Sequence, residues 1–150
     1  MKSAVAQLSE PELYEQFGAL PWRRIDGDGV QVLLVTSRIS RHWLLPKGWL
    51  IKGKSGTASA CREAFEEAGV EGRAQNKVLG TYEYVKITKT GEHLPCRVNV
   101  YGLQVKSLLA VWPEFTQRTR QWFSLSAAAA IVTEPGLRDF LASLDASAFR

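Results

Sequence analysis

The order of apolar and polar residues divides the chain into short strands and two main helices. Residues 30–37 form a near-continuous apolar run rich in β-branched side chains, which predicts a central strand covered on both faces. Residues 16–25 also have strand character, and the residues that follow them, 26–29, are typical of a turn. A further short strand is predicted at 42–45, and a loop at 48–55. These segments predict the first part of a sheet.

Two longer strands are predicted further along the chain. They lie near 76–86 and 97–105, and the polar residues 88–92 form the hairpin loop between them. The last short strand is expected at 120–125. By contrast, residues 1–15 are mixed and polar, with Pro11 near a short helical turn, so we expect this segment to be partly loose.

The first main helix is predicted to begin at Gly56 or Thr57 and to run to Ala68. Ser55 or Thr57 can cap its N-terminus, and Gly69 can end it because glycine readily adopts a positive φ angle. Small and apolar residues on one side of the helix would allow close approach to a sheet: Ala60, Cys61, Ala64, Phe65 and Ala68.

The second main helix is predicted at 136–147, and Pro135 opens it. An alanine-rich segment before it can be capped by Ser124 or Ser126. Strands interleaved with two main helices predict an α/β fold in which a mixed sheet lies between helical layers. The length of 150 residues fits a single domain over residues 1–150. One face of the second helix is apolar and is formed by Leu137, Phe140, Leu141 and Leu144.

Three carboxylates are spaced to share one face of the first helix. Glu63, Glu66 and Glu67 stand at i, i+3 and i+4, so their side chains lie about one turn apart and repel one another. A divalent cation between them would remove that repulsion, and carboxylate oxygens are the ligands that Mg²⁺ prefers. The competing interpretation is a solvated acidic face, which is the usual meaning of a glutamate-rich helix.

The residues around these carboxylates follow a fixed spacing. Five residues separate Gly48 from Lys54, seven more separate Lys54 from Arg62, and Arg62 immediately precedes the first glutamate. This arrangement resembles the signature of the Nudix hydrolase family: Gly, five residues, Glu, seven residues, then Arg-Glu-apolar-any-Glu-Glu-any-Gly-apolar. Lys54 stands where the family usually has Glu. The remaining signature positions are in register: Gly48, Arg62, Glu63, Ala64, Glu66, Glu67, Gly69 and Val70.

The resemblance implies an α/β/α sandwich and hydrolysis of a diphosphate linkage with Mg²⁺, for which Mn²⁺ can substitute. Glu63 and Glu67 are then the first choice as metal ligands. Glu66 is the expected base for the attacking water, with metal ligation as its second role. Arg62 is expected to pair with a carboxylate and to hold its orientation, although it can also be an exposed helix charge. Gly48 and Gly69 take structural roles. Many family members use a further Glu from a distal loop, for which Glu92 and Glu114 are candidates.

Positive charge is concentrated just before this motif. The net charge is +4, and no acidic residue lies between Asp28 and Glu63. Such a block attracts anions, although a solvated basic face is the alternative. Lys54 in place of the family's Glu suggests a polyanionic substrate. The candidate phosphate ligands are Arg24, Arg38, Arg41, Lys47, Lys52 and Lys54.

These features favour a hydrolase of highly phosphorylated small molecules such as diphosphoinositol or diadenosine polyphosphates. ADP-ribose or a nucleoside triphosphate is the alternative substrate, and a non-catalytic phosphate- or RNA-binding regulator is the alternative class. The chain has no apolar run of membrane-spanning length, and Cys61 and Cys96 have no Cys-x-x-Cys spacing. We therefore expect a cytoplasmic protein with free thiols and no membrane partner. Nucleic acid is not expected as a partner, and a homodimer is compatible with the sequence.

Overall fold

The structure is a computed structural model that describes residues 4–5, 7–9, 12–27 and 29–150. Its strands are β1 (Ala4–Val5), β2 (Gln7–Ser9), β3 (Leu13–Arg24), β4 (Val30–Thr36), β5 (Trp43–Leu44), β6 (Lys47–Ile51), β7 (Val70–Ile87), β8 (His93–Leu108) and β9 (Arg120–Ser124). Its helices are α1 (Gly56–Ala68), α2 (Leu125–Ile131) and α3 (Pro135–Ala142), and a 3₁₀ turn follows at Ala146–Ala148.

Strand β3 lies in the middle of a mixed sheet. It pairs in parallel with β8 and antiparallel with β2, β4 and β6, while β7 pairs antiparallel with β8. On the far side of β4, the sheet continues antiparallel into β5 and β9, and β1 pairs with β6. The prediction of a mixed sheet is confirmed.

Each face of this sheet has its own core. On β3 and β4, alternate side chains point to opposite faces, as the pleat of a strand requires. Ala19, Leu33 and Val35 pack with the alanines of α1, whereas Leu20 and Trp22 pack with residues of α2 and α3. Helices therefore cover both faces, and the predicted α/β/α sandwich is confirmed.

Helix α1 begins and ends where the sequence places it. The Ser55 hydroxyl accepts a hydrogen bond of 3.1 Å from the backbone N–H of Ala58, so Ser55 is the N-cap. Gly69 ends the helix at a φ of 65°, and its N–H donates to the carbonyls of Ala64 and Phe65. This left-handed conformation is one that glycine adopts without steric cost.

The division of α1 into an apolar and an acidic side was only partly right. The alanines Ala60, Ala64 and Ala68 are buried as expected, but Cys61 and Phe65 are half-buried. Glu63 and Glu67 lie with the alanines on the side that faces the sheet and are only 4% and 6% exposed. The helix therefore carries two carboxylates into the interior.

The loop predicted at 48–55 was wrong over most of its length. Residues Lys47–Ile51 form β6 because they pair with 16–18 of β3 and with β1, contacts that local sequence does not reveal. Only 52–55 form a turn. The hairpin strands β7 and β8 extend beyond their predicted ends, and α3 is shorter than predicted because it stops at Ala142.

The N-terminal segment contributes backbone to the sheet. In the described part of residues 1–15, the chain forms β1, β2 and the start of β3. Pro11, where a helical turn is predicted, and Asp28 of the predicted turn at 26–29 lie outside the described residues. Cys61 and Cys96 are free thiols, as expected. Among the described residues, no helix has the length and apolar character needed to cross a membrane.

Candidate active site

A cleft of about 420 Å³ opens where α1, β6, the start of β3, the end of β7 and residues 114–118 meet. Charged side chains of both signs line it. The carboxylates are Glu63, Glu66, Glu67 and Glu114, and the cations are Arg38, Lys47, Lys86 and Arg118. The fold thus brings the three predicted carboxylates to one cavity together with basic groups from four other segments.

The floor of the cleft holds two adjacent buried carboxylates. The side chains of Glu63 and Glu67 are hydrogen-bonded to each other, and burial, with a smaller contribution from Glu63, raises the pKa of Glu67 to about 8 despite the opposing charges of Arg118 and Lys47. Two carboxylates held this closely share a deficit of positive charge, since the low dielectric of the interior strengthens their repulsion. A cation placed between them would relieve it.

Gly48 allows the strand β6 to pass directly over Glu63. A Cβ atom at position 48 would lie 2.6 Å from Cδ and 2.7 Å from Oε2 of Glu63, closer than atoms can approach. The motif glycine is therefore needed for space, because its φ angle is an ordinary one. This contact explains why a glycine and a glutamate fifteen residues apart belong to one motif.

Glu66 and Arg62 form the ion pair that the sequence indicated. Arg62 Nε lies 2.6 Å from Glu66 Oε2, one helical turn away. The Arg62 side chain is half-exposed and its guanidinium lies 5.3 Å from the ring centroid of Phe65. The Glu66 side chain is 16% exposed and lines the cleft, so it is accessible to a small molecule there.

A turn at residues 113–117 brings a fourth carboxylate to the helix. The backbone N–H of Glu114 donates to the carbonyl of Glu66 at 3.1 Å, which fixes the turn against α1. Arg118 Nε lies 2.7 Å from Glu114 Oε1, and Arg118 Nη2 lies 3.8 Å from Glu67 Oε1. Arg118 also donates to the carbonyl of Thr36. Of the two candidates for a distal acid, Glu114 is the one that lines the cleft.

The predicted phosphate ligands fall into two groups. Arg38 and Lys47 line the cleft, and the Lys47 ammonium lies 4.6 Å from the ring centroid of Tyr84. Burial lowers the pKa of Lys47, and the charges of Glu67 and Glu134 oppose that shift.

The structure does not bring the others to the cleft. Arg24 donates to the carbonyl of Phe149 at 2.8 Å, and Arg41 donates to the carbonyl of Gln117 at 3.0 Å. Lys52 and Lys54 are exposed in the turn before α1, where Lys54 N–H donates to the carbonyl of Ile51. Arg24, Arg41, Lys52 and Lys54 do not line the cleft.

Sequence reasoning missed three residues of the cleft. Gln16 is a buried polar residue in β3, and its Oε1 accepts from the Tyr84 hydroxyl at 2.6 Å. Lys86 stands two residues after Tyr84 and therefore shares its face of the strand, a pattern that was readable. Arg118 gave a weaker signal, its spacing of four residues from Glu114.

The carboxylate donors suit a hard divalent cation in kind and in place. In the conformation that the described residues adopt, however, no group of three or more His, Cys, Asp or Glu side chains is arranged to hold a metal ion. The carboxylates are engaged otherwise: Glu66 with Arg62, Glu114 with Arg118, and Glu67 with Glu63. Cation binding therefore requires side-chain rearrangement within the cleft, while the backbone already supplies the shared face of α1.

Comparison with known proteins assigns the family. The NUDIX domain model matches residues 17–144, which include every element from the middle of β3 to the end of α3. The chain belongs to the Nudix hydrolase family. Nudix hydrolases generally use divalent metal ions, which agrees with the carboxylate donors of α1.

Relatives and solved structures give further detail. The chain is 35% identical over 136 residues to the mitochondrial Nudix hydrolase 16 of Arabidopsis thaliana, an alignment that covers 83% of this chain and 75% of the relative. It is 29% identical over 125 residues to human diphosphoinositol polyphosphate phosphohydrolase 3-alpha, covering 82% and 72%. The fold matches the Ap4A hydrolase of C. elegans with a TM-score of 0.63 at 19% identity, covering 87% and 94%.

Proposed function

We propose that this Nudix hydrolase cleaves a diphosphate linkage in a highly phosphorylated nucleotide or inositol compound, with Mg²⁺ as its cofactor. The observation that carries the proposal is the pair of buried carboxylates, Glu63 and Glu67, at the floor of a cleft whose walls are cationic. Acidic groups for a cation and basic groups for phosphates are both needed to bind a metal–diphosphate complex, and both are present here.

Glu63 and Glu67 are the residues that would hold the cation, with Glu66 as a third ligand. Bound Mg²⁺ supplies charge neutralisation at the phosphate oxygens and a lowered pKa for a coordinated water. The protein's own contribution is to keep the two carboxylates adjacent, which the rigid packing of α1 on the sheet and the space over Gly48 accomplish.

Glu66 is our choice for the base that accepts a proton from the attacking water. Its carboxylate lines the cleft, and its pairing with Arg62 fixes its orientation. Glu114 is the alternative base, because it reaches the same cleft from the turn that Arg118 anchors. Arg38, Lys47 and Lys86 are placed to neutralise the phosphate oxygens of the substrate.

The substrate class rests on the cationic walls and on the relatives. The human relative is named for diphosphoinositol polyphosphates and a structural neighbour for Ap4A, both of which carry many phosphates. ADP-ribose and nucleoside triphosphates are the less favoured substrates because they offer fewer charges to the cations. A non-catalytic phosphate binder is disfavoured, since buried carboxylates such as Glu63 and Glu67 would repel its ligand. We retain a cytoplasmic location and a homodimer as part of the proposal.

The test is phosphate release from a panel of diphosphates with and without Mg²⁺. Wild type should turn over at least one member only with the metal, and Glu67→Gln should lose about two to four orders of magnitude in kcat, as expected for loss of a ligand of the activating ion. Glu71→Gln, an exposed glutamate at the start of β7, is the matched control and should keep full activity. Absence of turnover across the panel would contradict the proposal.

A further inference from the structure

A second cavity of about 340 Å³ adjoins the cleft, and we call it the side compartment. Ser37, Leu44, Lys47 and Lys86 line both cavities, so the two form a continuous groove. Two lysines thus stand at the boundary between them. A phosphate chain bound at the carboxylates of α1 would pass between these lysines toward the side compartment.

The side compartment differs from the cleft in its chemistry. Its lining includes the aromatic residues Trp43 and Tyr84, the imidazole of His42 and a single carboxylate, Glu134. Its volume lies within the range of small-molecule pockets, roughly 300–1,000 Å³, and is sufficient for a ring system. Apolar and aromatic walls with a few polar groups are typical of sites that bind uncharged rings.

Glu134 has an unused hydrogen-bonding group. It occupies the N-cap position of α3, where an acidic side chain usually accepts from a backbone N–H, but it makes no such bond. Its Oε1 atom is buried and has no hydrogen-bond partner among the described residues. Buried acceptors are almost always paired, so this one points to a donor that is missing from the protein alone.

The sign of this charge restricts the ligand. A carboxylate repels further phosphate groups, whereas it accepts hydrogen bonds from amino and hydroxyl groups. We propose that the side compartment binds a nucleoside at the end of the substrate's phosphate chain, with an N–H or O–H group donating to Glu134. This inference rests on the proposed diphosphate hydrolysis and selects nucleotides over inositol polyphosphates, whose remaining substituents are phosphates.

A structural explanation competes with this one. The Tyr82 hydroxyl is also buried without a partner among the described residues, and burial, with a smaller contribution from Glu134, raises the pKa of Tyr82 well above its usual value. Tyr82 therefore lies within electrostatic reach of Glu134. If Glu134 serves only to balance Tyr82, its substitution would lower stability and leave ligand affinity unchanged.

The experiment measures the affinity for AMP without metal by calorimetry, and KM for diadenosine tetraphosphate and for a diphosphoinositol polyphosphate with Mg²⁺. Glu134→Ala removes both charge and acceptor, and it should weaken AMP binding and raise KM for the dinucleotide about tenfold, the value of one charge-assisted hydrogen bond. Glu134→Gln keeps an acceptor and should show a smaller loss. KM for the inositol compound should stay the same or fall.

Asp139→Ala, an exposed change on the same helix, is the control. Unchanged AMP affinity in both Glu134 variants, with a lowered melting temperature that Tyr82→Phe reproduces, would overturn the inference in favour of the structural explanation. Tighter dinucleotide binding in both variants would also overturn it, since that result indicates a phosphate in the compartment. If no substrate is hydrolysed but AMP binding still depends on Glu134, the hydrolase proposal fails and the nucleoside site stands.

Discussion

The two faces of the central sheet are built from different materials. The face under α2 and α3 is filled with large apolar side chains, among them Trp22, Phe140 and Phe149. The face under α1 is filled with small ones, Ala60, Ala64 and Ala68, and with the buried carboxylates Glu63 and Glu67. Apolar burial stabilises the first face, while buried charge costs free energy on the second. Stability and chemistry are thus separated by one layer of backbone.

The largest effect on stability is expected from the apolar face. Trp22 is 1% exposed and its ring centroid lies 5.5 Å from that of Phe149. Trp22→Ala should lower the free energy of unfolding by about 3–5 kcal/mol, because it removes a large buried side chain and leaves a cavity. Denaturant unfolding measures this loss. In the fraction that stays folded, Mn²⁺ affinity should be that of wild type; reduced affinity would show that the two faces are coupled.

A small change on the α1 face should have the opposite profile. Gly48→Ala places a methyl group against the Glu63 carboxylate, and we expect about a 100-fold loss of kcat/KM, since an ångström-scale displacement of a catalytic group costs about that much. Steady-state kinetics measure the loss. Glu63→Asp in the same chain shortens the displaced side chain and should recover part of the lost metal affinity. Wild-type kinetics in Gly48→Ala would contradict the close approach.

Arg118 should affect both properties moderately. It donates to Glu114 and to the carbonyl of Thr36 and lies beside Glu67. Arg118→Met leaves these carboxylates without their cation and should lower the free energy of unfolding by about 1–3 kcal/mol. Because a divalent cation would replace the missing charge, thermal denaturation should show a larger stabilisation by Mg²⁺ in the variant than in wild type. Equal stabilisation would count against a shared site.

How much of this division the sequence reveals depends on the range of the contacts. Helix α1 was predictable because its signals are local: Ser55 as cap, Gly69 as stop and the spacing of the glutamates. Strand β6 was not, since its pairing of Gly48 with Phe17 joins segments far apart in sequence. Arg118 and Lys86 were missed for the same reason, because tertiary structure brings them to the cleft. Charge density alone also grouped Arg24 and Arg41 with Lys47, although the strands carry them to different places.

The smallest effect is expected at the position that departs from the family signature. Lys54 is exposed and does not line the cleft, whereas Lys47 does. Lys54→Glu should raise KM for the most highly charged substrate by only about twofold, since an exposed charge is screened by solvent. Lys47→Met, the matched change inside the cleft, should raise it by about tenfold or more. If Lys54→Glu instead increased turnover on every diphosphate, Lys54 would be a damaged position.

The central claim is that Glu63, Glu66 and Glu67 bind a divalent cation on α1. The most direct test is titration of the folded protein with Mn²⁺, followed by calorimetry or by electron paramagnetic resonance, for wild type and for the double variant Glu63→Gln, Glu67→Gln. We expect saturable binding by wild type, competed by Mg²⁺, and loss of that binding in the double variant while its circular dichroism stays native. Equal Mn²⁺ binding by the two proteins, or none by wild type, would contradict the account.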